Sequence, residues 1–365
     1  MASLGGGRVF IANVVPPLVA LAPQDQFKLI VRDDALAASI PSAPNLEVES
    51  LPPGGMLDRF AFAYREAPRR IEEWGADLYF SFGEYVPLTG SVPRIATFQN
   101  ACVFSKIRFG WPLYQKFRLA LLRLLAGLSA RRSARVLFVS QDSERWIGDL
   151  VGLAKHRRAW LHHGVTVEEW RPRELPSRAA RPYLLSVGSV YRYKNFVRLV
   201  EAYATVARES SEPLELVIIG DTVDHPYREQ LLAAIEATGE LAERIRLIDW
   251  VPHEEIPRYY AEASLFVFPS YLETFGIPLL EAMASEIPVV VSDLPVFREI
   301  CLDAAFYADP FSSDSLASAM SRALGDAAER ERCIGRGREI AERLTWDAAA
   351  GRLLATFEET LKEGC

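Results

Sequence analysis

Residues 265–281 read LFVFPSYLETFGIPLLE, and this stretch decides the fold. Leu265–Phe268 have the apolar, β-rich character of a buried strand. A short loop with Glu273 and Gly276 follows, and Pro278 then stands where a helix would begin, a position at which its missing N–H costs nothing. The stretch therefore predicts a strand-to-helix turn at the carboxyl edge of a parallel sheet, which is where open α/β sheets bind ligands.

The alternation of strand and helix patterns continues along almost the whole chain. Such alternation is the signature of α/β units with parallel strands. The predicted strands are Phe27–Val31, Leu78–Phe82, Ile95–Phe98, Val136–Ser140, Ala159–His162, Tyr183–Val187, Leu214–Ile219, Ile245–Ile248, Leu265–Phe268, Val289–Val291 and Ala305–Tyr307. The intervening helical patterns include Phe196–Val206, Tyr227–Ala237 and Leu316–Leu324. The pattern predicts two doubly wound parallel sheets.

The length of the chain predicts two domains. At 365 residues it exceeds what one hydrophobic core usually serves, at ~150 residues per domain. The clearest boundary is the Pro- and Arg-rich stretch at residues 170–182, just before the strand that begins at Tyr183. We therefore expect an N-terminal domain over residues 1–172, a C-terminal domain over 173–345, and a last helix over 346–365 that could pack back across the first domain.

The composition excludes several classes of protein. Half of the residues are apolar and 24% are charged, which is ordinary for a globular chain and excludes a largely disordered one. The net charge of −7 lacks the basic excess of nucleic-acid-binding proteins. The cysteines have no metal-ligand spacing and are expected as thiols in a reducing compartment. With no recognisable secretory signal or spanning segment, a cytoplasmic location is expected.

The turn before the predicted helix has the chemistry to bind a phosphorylated sugar. The main-chain N–H groups of Thr274, Phe275 and Gly276 would point at an anion placed there, with the helix dipole assisting. Glu273 and Glu281 reach two points of one ligand, which suits hydrogen bonding to two sets of sugar hydroxyls. The alternative is a pair of solvated glutamates at a helix end.

These two glutamates lie after a strand that ends in Pro-Ser and have Phe-Gly-Ile-Pro between them. The arrangement resembles the donor-site motif of retaining GT-B glycosyltransferases of glycosyltransferase family 4. The resemblance implies a GT-B fold, in which two Rossmann-like domains flank a cleft, with the donor mainly on the second domain and the acceptor on the first. It also implies that Glu273 contacts the transferred sugar and Glu281 the nucleotide ribose.

A second turn, from Gly188 to Lys194, resembles the basic segment Gly-x-x-x-x-Arg-Lys-Asn of the same family. The resemblance implies that Lys194 and Arg192 neutralise the donor pyrophosphate and stabilise it as a leaving group. This chain departs from the family pattern because Tyr193 occupies the usual arginine position. The alternative for both basic residues is a surface charge cluster that caps a helix.

Further donor contacts follow from the same resemblance. Trp250 and Val251 stand after a predicted strand, where family members hold the nucleotide base through main-chain groups. Gly6 and Gly7 match the glycine loop that approaches the pyrophosphate. A complete strand precedes that loop in the family, so the first sheet here is expected to lack a central strand; the alternative is a flexible tail.

No D-x-D motif, which binds a divalent cation in the other major transferase architecture, occurs in the chain. Lys194 and the helix-terminal N–H groups can compensate the charge of a diphosphate. We therefore expect metal-independent transfer with no cofactor besides the nucleotide-sugar donor.

Acceptor-side candidates follow two strands of the first domain. Gln99 and Asn100 stand where many family members have a histidine that contacts the sugar or the acceptor. Neither amide can accept a proton near neutral pH, so the resemblance implies a same-face mechanism in which the departing phosphate oxygen takes the proton. His163 matches the family's Asn/His-Gly-Val turn, where a neutral histidine that satisfies main-chain carbonyls is the expected role.

Charge is strongly segregated over residues 103–141, which contain eight Lys and Arg residues and no acidic one. Interleaved apolar residues at spacings of three and four predict a helix that is apolar on one side and cationic along its flanks. Such helices lie on anionic bilayers, so peripheral contact with the inner face of the membrane and a lipid-linked acceptor is one hypothesis. A core helix with a solvated basic face is the alternative.

The function that these motifs favour is retaining transfer of a hexosyl unit from a UDP- or GDP-sugar to a hydroxyl of a glycan or lipid-linked saccharide. A sugar-nucleotide epimerase or hydrolase on the same scaffold would need a carboxylate or histidine base in the site, and the amides of Gln99 and Asn100 count against it. A catalytically impaired subunit that binds the donor without turnover is the third hypothesis.

Overall fold

A computed structural model describes residues 6–105, 107, 109–171 and 182–364. The described residues up to His163, with those from Trp346 onward, form an N-terminal unit, and the described residues from Gly164 to Thr345 form a C-terminal unit. The division between the units therefore falls nearer the N-terminus than residue 172. The last helix belongs to the N-terminal unit. Most of the predicted linker, at residues 172–181, lies outside the described residues.

The strands of both units are close to their predicted positions. In chain order they are β1 (Phe27–Val31), β2 (Leu46–Ser50), β3 (Tyr79–Ser81), β4 (Arg94–Phe98), β5 (Arg135–Phe138), β6 (Arg158–Trp160), β7 (Tyr183–Val187), β8 (Glu215–Ile219), β9 (Ile245–Ile248), β10 (Leu265–Phe268), β11 (Val289–Ser292) and β12 (Phe306–Ala308). All of the pairings between them are parallel.

Helices connect most of the strands. They are α1 (Gly6–Leu21), α2 (Asp34–Ser39), α3 (Met56–Ala61), α4 (Ala67–Trp74), α5 (Ala101–Phe104), α6 (Leu113–Arg132), α7 (Gln141–Leu150), α8 (Val167–Trp170), α9 (Phe196–Glu209), α10 (His225–Glu236), α11 (Ile256–Glu262), α12 (Ile277–Ala284), α13 (Pro295–Cys301), α14 (Ser313–Gly325), α15 (Ala327–Arg343) and α16 (Trp346–Gly364). A π-helical segment, Phe62–Glu66, joins α3 to α4.

The sheet of the C-terminal unit has the order β12-β11-β10-β7-β8-β9. The chain runs outward from β7 to β9 on one side and from β10 to β12 on the other, so the strand order reverses between β7 and β10. A reversal of this kind opens a crevice at the carboxyl edge of a parallel sheet, and ligands bind there. The turns that follow β7 and β10 are the two that the sequence analysis singled out.

The N-terminal unit has two separate sheets, β1-β2 and β3-β4-β5-β6. Among the described residues no strand pairing joins one of these sheets to the other. Strand β2 was not predicted, because Glu47 and Glu49 interrupt its apolar pattern. These carboxylates lie in ion pairs with Lys28 and Arg70.

Helices α1 and α16 pack against each other in the core of the N-terminal unit. Phe10, Val14 and Leu18 of α1 are buried in one cluster with Trp346 and Leu353 of α16. Burial of this apolar face stabilises both helices, because packing contributes more to helix stability in proteins than intrinsic propensity does. The core of the C-terminal unit is built in the same way around α9 and α14, which pack on the sheet.

Candidate active site

The crevice between β7 and β10 brings the two predicted donor motifs together. The main-chain N–H of Tyr271 donates to the carbonyl of Tyr193 at 2.8 Å, which ties the two turns to each other. Asn195 begins α9 in a left-handed conformation, with a φ of 63°. Its side-chain amide donates to the carbonyl of Pro269 at 2.9 Å. The geometry of both turns is therefore fixed by hydrogen bonds between them.

Lys194 and Glu273 form an ion pair in this crevice. The ammonium Nζ lies 2.7 Å from Oε1 of the carboxylate, and the side chains are only 11% and 14% exposed. The hydroxyl of Ser270 lies 3.0 Å from the same oxygen and donates to it. Nζ also lies 4.7 Å from the ring centroid of Phe268, within the range of a cation–π interaction. A cation and an acceptor carboxylate thus stand together at the switch point of the sheet.

The turn after β10 leads into the N-terminus of α12 through Gly276. This residue has a φ of 109°, and a Cβ there would lie 3.2 Å from the side chains of Leu279 and Phe297, so glycine is required. Thr274 and Phe275 are buried beside it. The N–H groups in the first turn of a helix lack intrahelical acceptors and, with the helix dipole, favour an anion.

Glu281 lies on α12 with its carboxyl group withdrawn from water. The hydroxyl of Tyr260 donates to its Oε2 at 2.9 Å. Burial raises the pKa of Glu281 to about 7, and the Tyr260 hydrogen bond opposes that rise. Tyr260 is itself buried, with its ring packed edge-on against Trp170. The sequence analysis did not find Tyr260, because a tyrosine in an amphipathic helix gives no signal beyond packing.

Arg192 makes a different ion pair from Lys194. Its guanidinium donates to both carboxylate oxygens of Asp224, at 2.6 and 3.0 Å. The Asp224 carboxylate raises the pKa of Arg192 and also accepts from the N–H of Tyr227 to cap α10. The structure therefore brings together Lys194 and Glu273, while Arg192 holds the turn after β8.

Two glycines let the neighbouring turns approach closely. Gly188 has a φ of 154°, and a Cβ there would lie 3.3 Å from Cε of Lys194. A Cβ at Gly220 would overlap the carbonyl of Gly188. After β9, Val251 is buried, whereas Trp250 is 65% exposed and offers an open aromatic surface. This is the position where the sequence analysis expects the nucleotide base.

The glycines of α1 lie beside the predicted acceptor residues in the N-terminal unit. Helix α1 begins at Gly6, and a Cβ on Gly7 would lie 3.8 Å from Nε2 of Gln99. The Gln99 amide donates to the carbonyl of Phe82 at 2.7 Å. Asn100 caps α5 by accepting from the N–H of Cys102. Both amides thus have structural partners at the carboxyl edge of their sheet.

Glu84 is a residue of this region that the sequence analysis missed. Its Oε1 accepts from the main-chain N–H of Asn100 at 3.1 Å. Burial raises the pKa of its carboxyl group. A carboxylate therefore does stand beside the two amides, which removes the argument that this part of the chain has no carboxylate base. Its signal was the glutamate that follows a predicted strand at residues 78–82.

His163 is buried in the core of the N-terminal unit. Its ring centroid lies 4.7 Å from that of Phe10 and 5.8 Å from that of Trp346. Burial lowers its pKa to about 3, so the imidazole is neutral at physiological pH. Such a histidine cannot act as a proton shuttle near neutral pH.

The described residues contain neither a cluster of metal ligands nor a membrane-spanning helix. No group of three His, Cys, Asp or Glu side chains in that part of the chain could hold a metal ion. No helix there is both long and apolar enough to cross a bilayer. Within the described part of the chain, Cys102, Cys301 and Cys333 form no disulfide bond, and Cys365 lies outside it.

Residues 168–340, which contain both predicted donor turns, match the family model of glycosyl transferases group 1. This segment is similar to the glycosyl transferases of group 1. The chain is 32% identical over 176 residues to the O-antigen chain mannosyltransferase B of Escherichia coli. The aligned residues are 48% of this chain and 45% of that protein. The chain is 28% identical over 198 residues to the O-antigen chain mannosyltransferase RfbU of Salmonella typhimurium, covering 54% and 53%.

The chain has the GT-B fold. The structure of the Anabaena protein HepE in complex with UDP-glucose superimposes with a TM-score of 0.77 at 16% identity, over 99% of this chain and 97% of that one. At this identity the likeness concerns the fold. The chain matches about half the length of the two mannosyltransferases.

Proposed function

We propose that the protein transfers a hexosyl unit from a UDP- or GDP-sugar to a hydroxyl group of a glycan or lipid-linked saccharide, with retention of anomeric configuration. The observation that carries the proposal is the Lys194–Glu273 pair, 2.7 Å apart, at the switch point of the C-terminal sheet. The names of the relatives, which include two O-antigen mannosyltransferases, support hexosyl transfer. The UDP-glucose bound to HepE supports a nucleotide-sugar donor.

In this proposal the bound donor separates Lys194 from Glu273 and becomes the hydrogen-bond partner of both. The diphosphate takes the ammonium of Lys194 and rests on the N–H groups that begin α12, while hydroxyls of the sugar donate to Glu273. Because a buried ionic hydrogen bond is replaced by another of similar strength, neither group is left unpaired. Lys194 then stabilises the negative charge that develops on the leaving diphosphate, which is the main electrostatic requirement of glycosyl transfer.

Glu281 binds the ribose of the nucleotide in the same proposal. Its carboxylate must be ionised to accept hydrogen bonds from two hydroxyl groups. The transfer itself is metal-independent, because Lys194 and the α12 N–H groups supply the positive charge. The departing phosphate oxygen takes the proton of the acceptor hydroxyl on the same face of the sugar.

The acceptor binds to the N-terminal unit, near Gln99, Asn100 and Glu84. We place the reaction in the cytoplasm, at the inner face of the membrane, where a lipid-linked saccharide is accessible. The O-antigen relatives support a role in polysaccharide biosynthesis.

Glu84 supports a second candidate, a hydrolase that transfers the sugar to water. This carboxylate accepts from the N–H of Asn100, and its raised pKa suits a general base. A donor-binding subunit without turnover is the third candidate.

Two measurements separate the three candidates. Titration calorimetry with UDP and GDP tests the donor site, and a panel of nucleotide sugars is then assayed with and without saccharide acceptors. A transferase forms a glycoside faster than it hydrolyses the donor. A hydrolase releases free sugar at a rate that acceptors do not change, and a binding subunit binds the nucleotide and forms neither product. Absence of nucleotide binding contradicts all three.

A further inference from the structure

Helix α6 has two apolar faces on opposite sides. One face is buried in the N-terminal unit through Leu122, Ala126 and Ala130. The other carries five large apolar side chains that remain exposed, and we refer to them as the outer face of α6. They are Leu113 (76% exposed), Tyr114 (71%), Phe117 (78%), Leu121 (47%) and Leu124 (61%).

The outer face is a continuous stripe. At 3.6 residues per turn its five residues fall within about 100° of the helix circumference, and at 1.5 Å per residue they extend over about 16 Å. Single exposed apolar residues are ordinary in a soluble unit, but a contiguous patch of this kind marks an interaction surface. The side chains of the stripe are therefore placed to contact a partner.

Basic side chains surround the stripe. Lys116 and Arg118 are exposed on its two flanks, and Arg131 and Arg132 are exposed at the end of the helix. No acidic residue occurs from residue 103 to 141, and the eight basic residues there leave a net charge of −15 on the rest of the chain, since −7 − 8 = −15. Two of the eight, Lys106 and Arg108, lie outside the described residues.

We propose that the outer face of α6 docks on an anionic lipid bilayer. Phe117 and the leucines enter the boundary between head groups and acyl chains, Tyr114 lies at the level of the head groups, and Lys116 and Arg118 contact lipid phosphates. The negative charge of the rest of the chain is repelled by the same surface, so the protein binds in one orientation.

The charge pattern favours a bilayer over a second copy of the chain. A symmetric dimer through this face would bring Lys116 and Arg118 of one copy close to the same residues of the other. The face contains no carboxylate that could pair with them, whereas a bilayer with anionic lipids supplies a negative charge wherever a basic side chain reaches it.

Docking at the inner face of the membrane, and not at another bilayer surface, rests on the proposed function. A transferase that is held at the bilayer by its N-terminal unit meets a lipid-linked acceptor by diffusion in two dimensions. The docking surface itself can be tested without any substrate.

The test is co-sedimentation of the full chain with phosphatidylcholine vesicles, with and without 30% phosphatidylglycerol. We expect binding to the anionic vesicles, weakened at least tenfold between low and high salt. The variant Phe117→Ser with Leu124→Ser should bind at least tenfold more weakly, and so should Lys116→Glu with Arg118→Glu. Leu57→Ser is the matched control, because Leu57 is 79% exposed and lies on α3, outside the outer face.

Two results would overturn the proposal. One is that the wild-type protein stays in the supernatant with anionic vesicles at low salt. The other is that either doubly substituted variant binds the anionic vesicles as well as the wild type does. A dimer in light scattering that Phe117→Ser dissociates would assign the face to a second copy instead. Titration of the same variants with UDP and GDP separates the docking proposal from the proposed function. A variant that binds nucleotide as the wild type does but has lost vesicle binding is altered only in its outer face.

Discussion

The ammonium of Lys194 and the carboxylate of Glu273 meet across the point where the strand order of the C-terminal sheet reverses. They come from turns that are far apart in the chain, and each is nearly withdrawn from water. An ion pair of this kind holds both groups in place before a ligand arrives. In the proposed function the cation binds the diphosphate of the donor and the carboxylate accepts from the hydroxyls of its sugar.

Removing the cation of this pair should abolish most of the activity. For Lys194→Ala we expect kcat to fall roughly a hundred- to a thousandfold, the range found for loss of one charge-stabilising donor in a transition state. The substitution also leaves Glu273 without its cation, which should cost about 1–3 kcal/mol of stability. Turnover with the best donor of the panel and urea unfolding measure the two effects.

Arg192→Ala provides the contrast. Because its guanidinium is bound by Asp224, we expect the free energy of unfolding to fall by about 1–3 kcal/mol while kcat changes less than tenfold. A loss of kcat as large as that of Lys194→Ala, in a variant that remains folded, would place Arg192 in the catalytic machinery instead.

The raised pKa of Glu281 predicts that donor binding and stability change with pH in opposite directions. Nucleotide affinity should increase as pH rises through about 7, because the ribose requires the ionised carboxylate. The folded state holds this proton more tightly than the unfolded chain does, so stability should decrease as pH rises from 4.5 to about 7. The total is on the order of 3 kcal/mol at most.

Glu281→Gln separates these two effects. At pH 8 the variant should unfold at a higher urea concentration than the wild type and bind nucleotide more weakly. Tyr260→Phe should move the pH dependence of binding to higher pH, because it removes the hydrogen bond that favours the ionised carboxylate. A wild-type affinity for UDP and GDP that is constant between pH 6 and 8 would argue against this role of Glu281.

His163 should affect acid stability and not catalysis. Its pKa is lowered from 6.5 to about 3 by burial, so the folded state binds fewer protons than the unfolded chain below pH 6.5. Stability should therefore fall as pH drops from 6.5 towards 3. His163→Phe should make this fall shallower and leave the pH profile of turnover unchanged near neutrality.

Much of the fold of the C-terminal unit followed from the sequence. The turn at Gly276 needs a residue without Cβ, and Pro278 marks the start of α12, so local chemistry alone predicts that element. The pairing of Lys194 with Glu273 depends on the strand order, which places β7 beside β10. No local pattern predicts that order, and the resemblance to a known family implied only that both residues contact the same donor.

The N-terminal unit and the hydrogen-bond partner of Glu281 were harder to predict. Strand β2 contains two glutamates and shows no apolar alternation, since its charges are compensated by Lys28 and Arg70 in three dimensions. Glu84 and Tyr260 were missed for a related reason. Glu84 does follow a predicted strand, but its hydrogen bond to Asn100 and that of Tyr260 to Glu281 join separate elements and leave no pattern in a single sequence.

The most direct test of the central claim is a crystal structure of the protein with UDP or GDP bound. We predict that the diphosphate lies at the N-terminus of α12, within hydrogen-bond distance of Lys194 Nζ, with the ribose on Glu281. A nucleotide bound elsewhere on the chain, with the Lys194–Glu273 pair intact at 2.7 Å, would contradict the account.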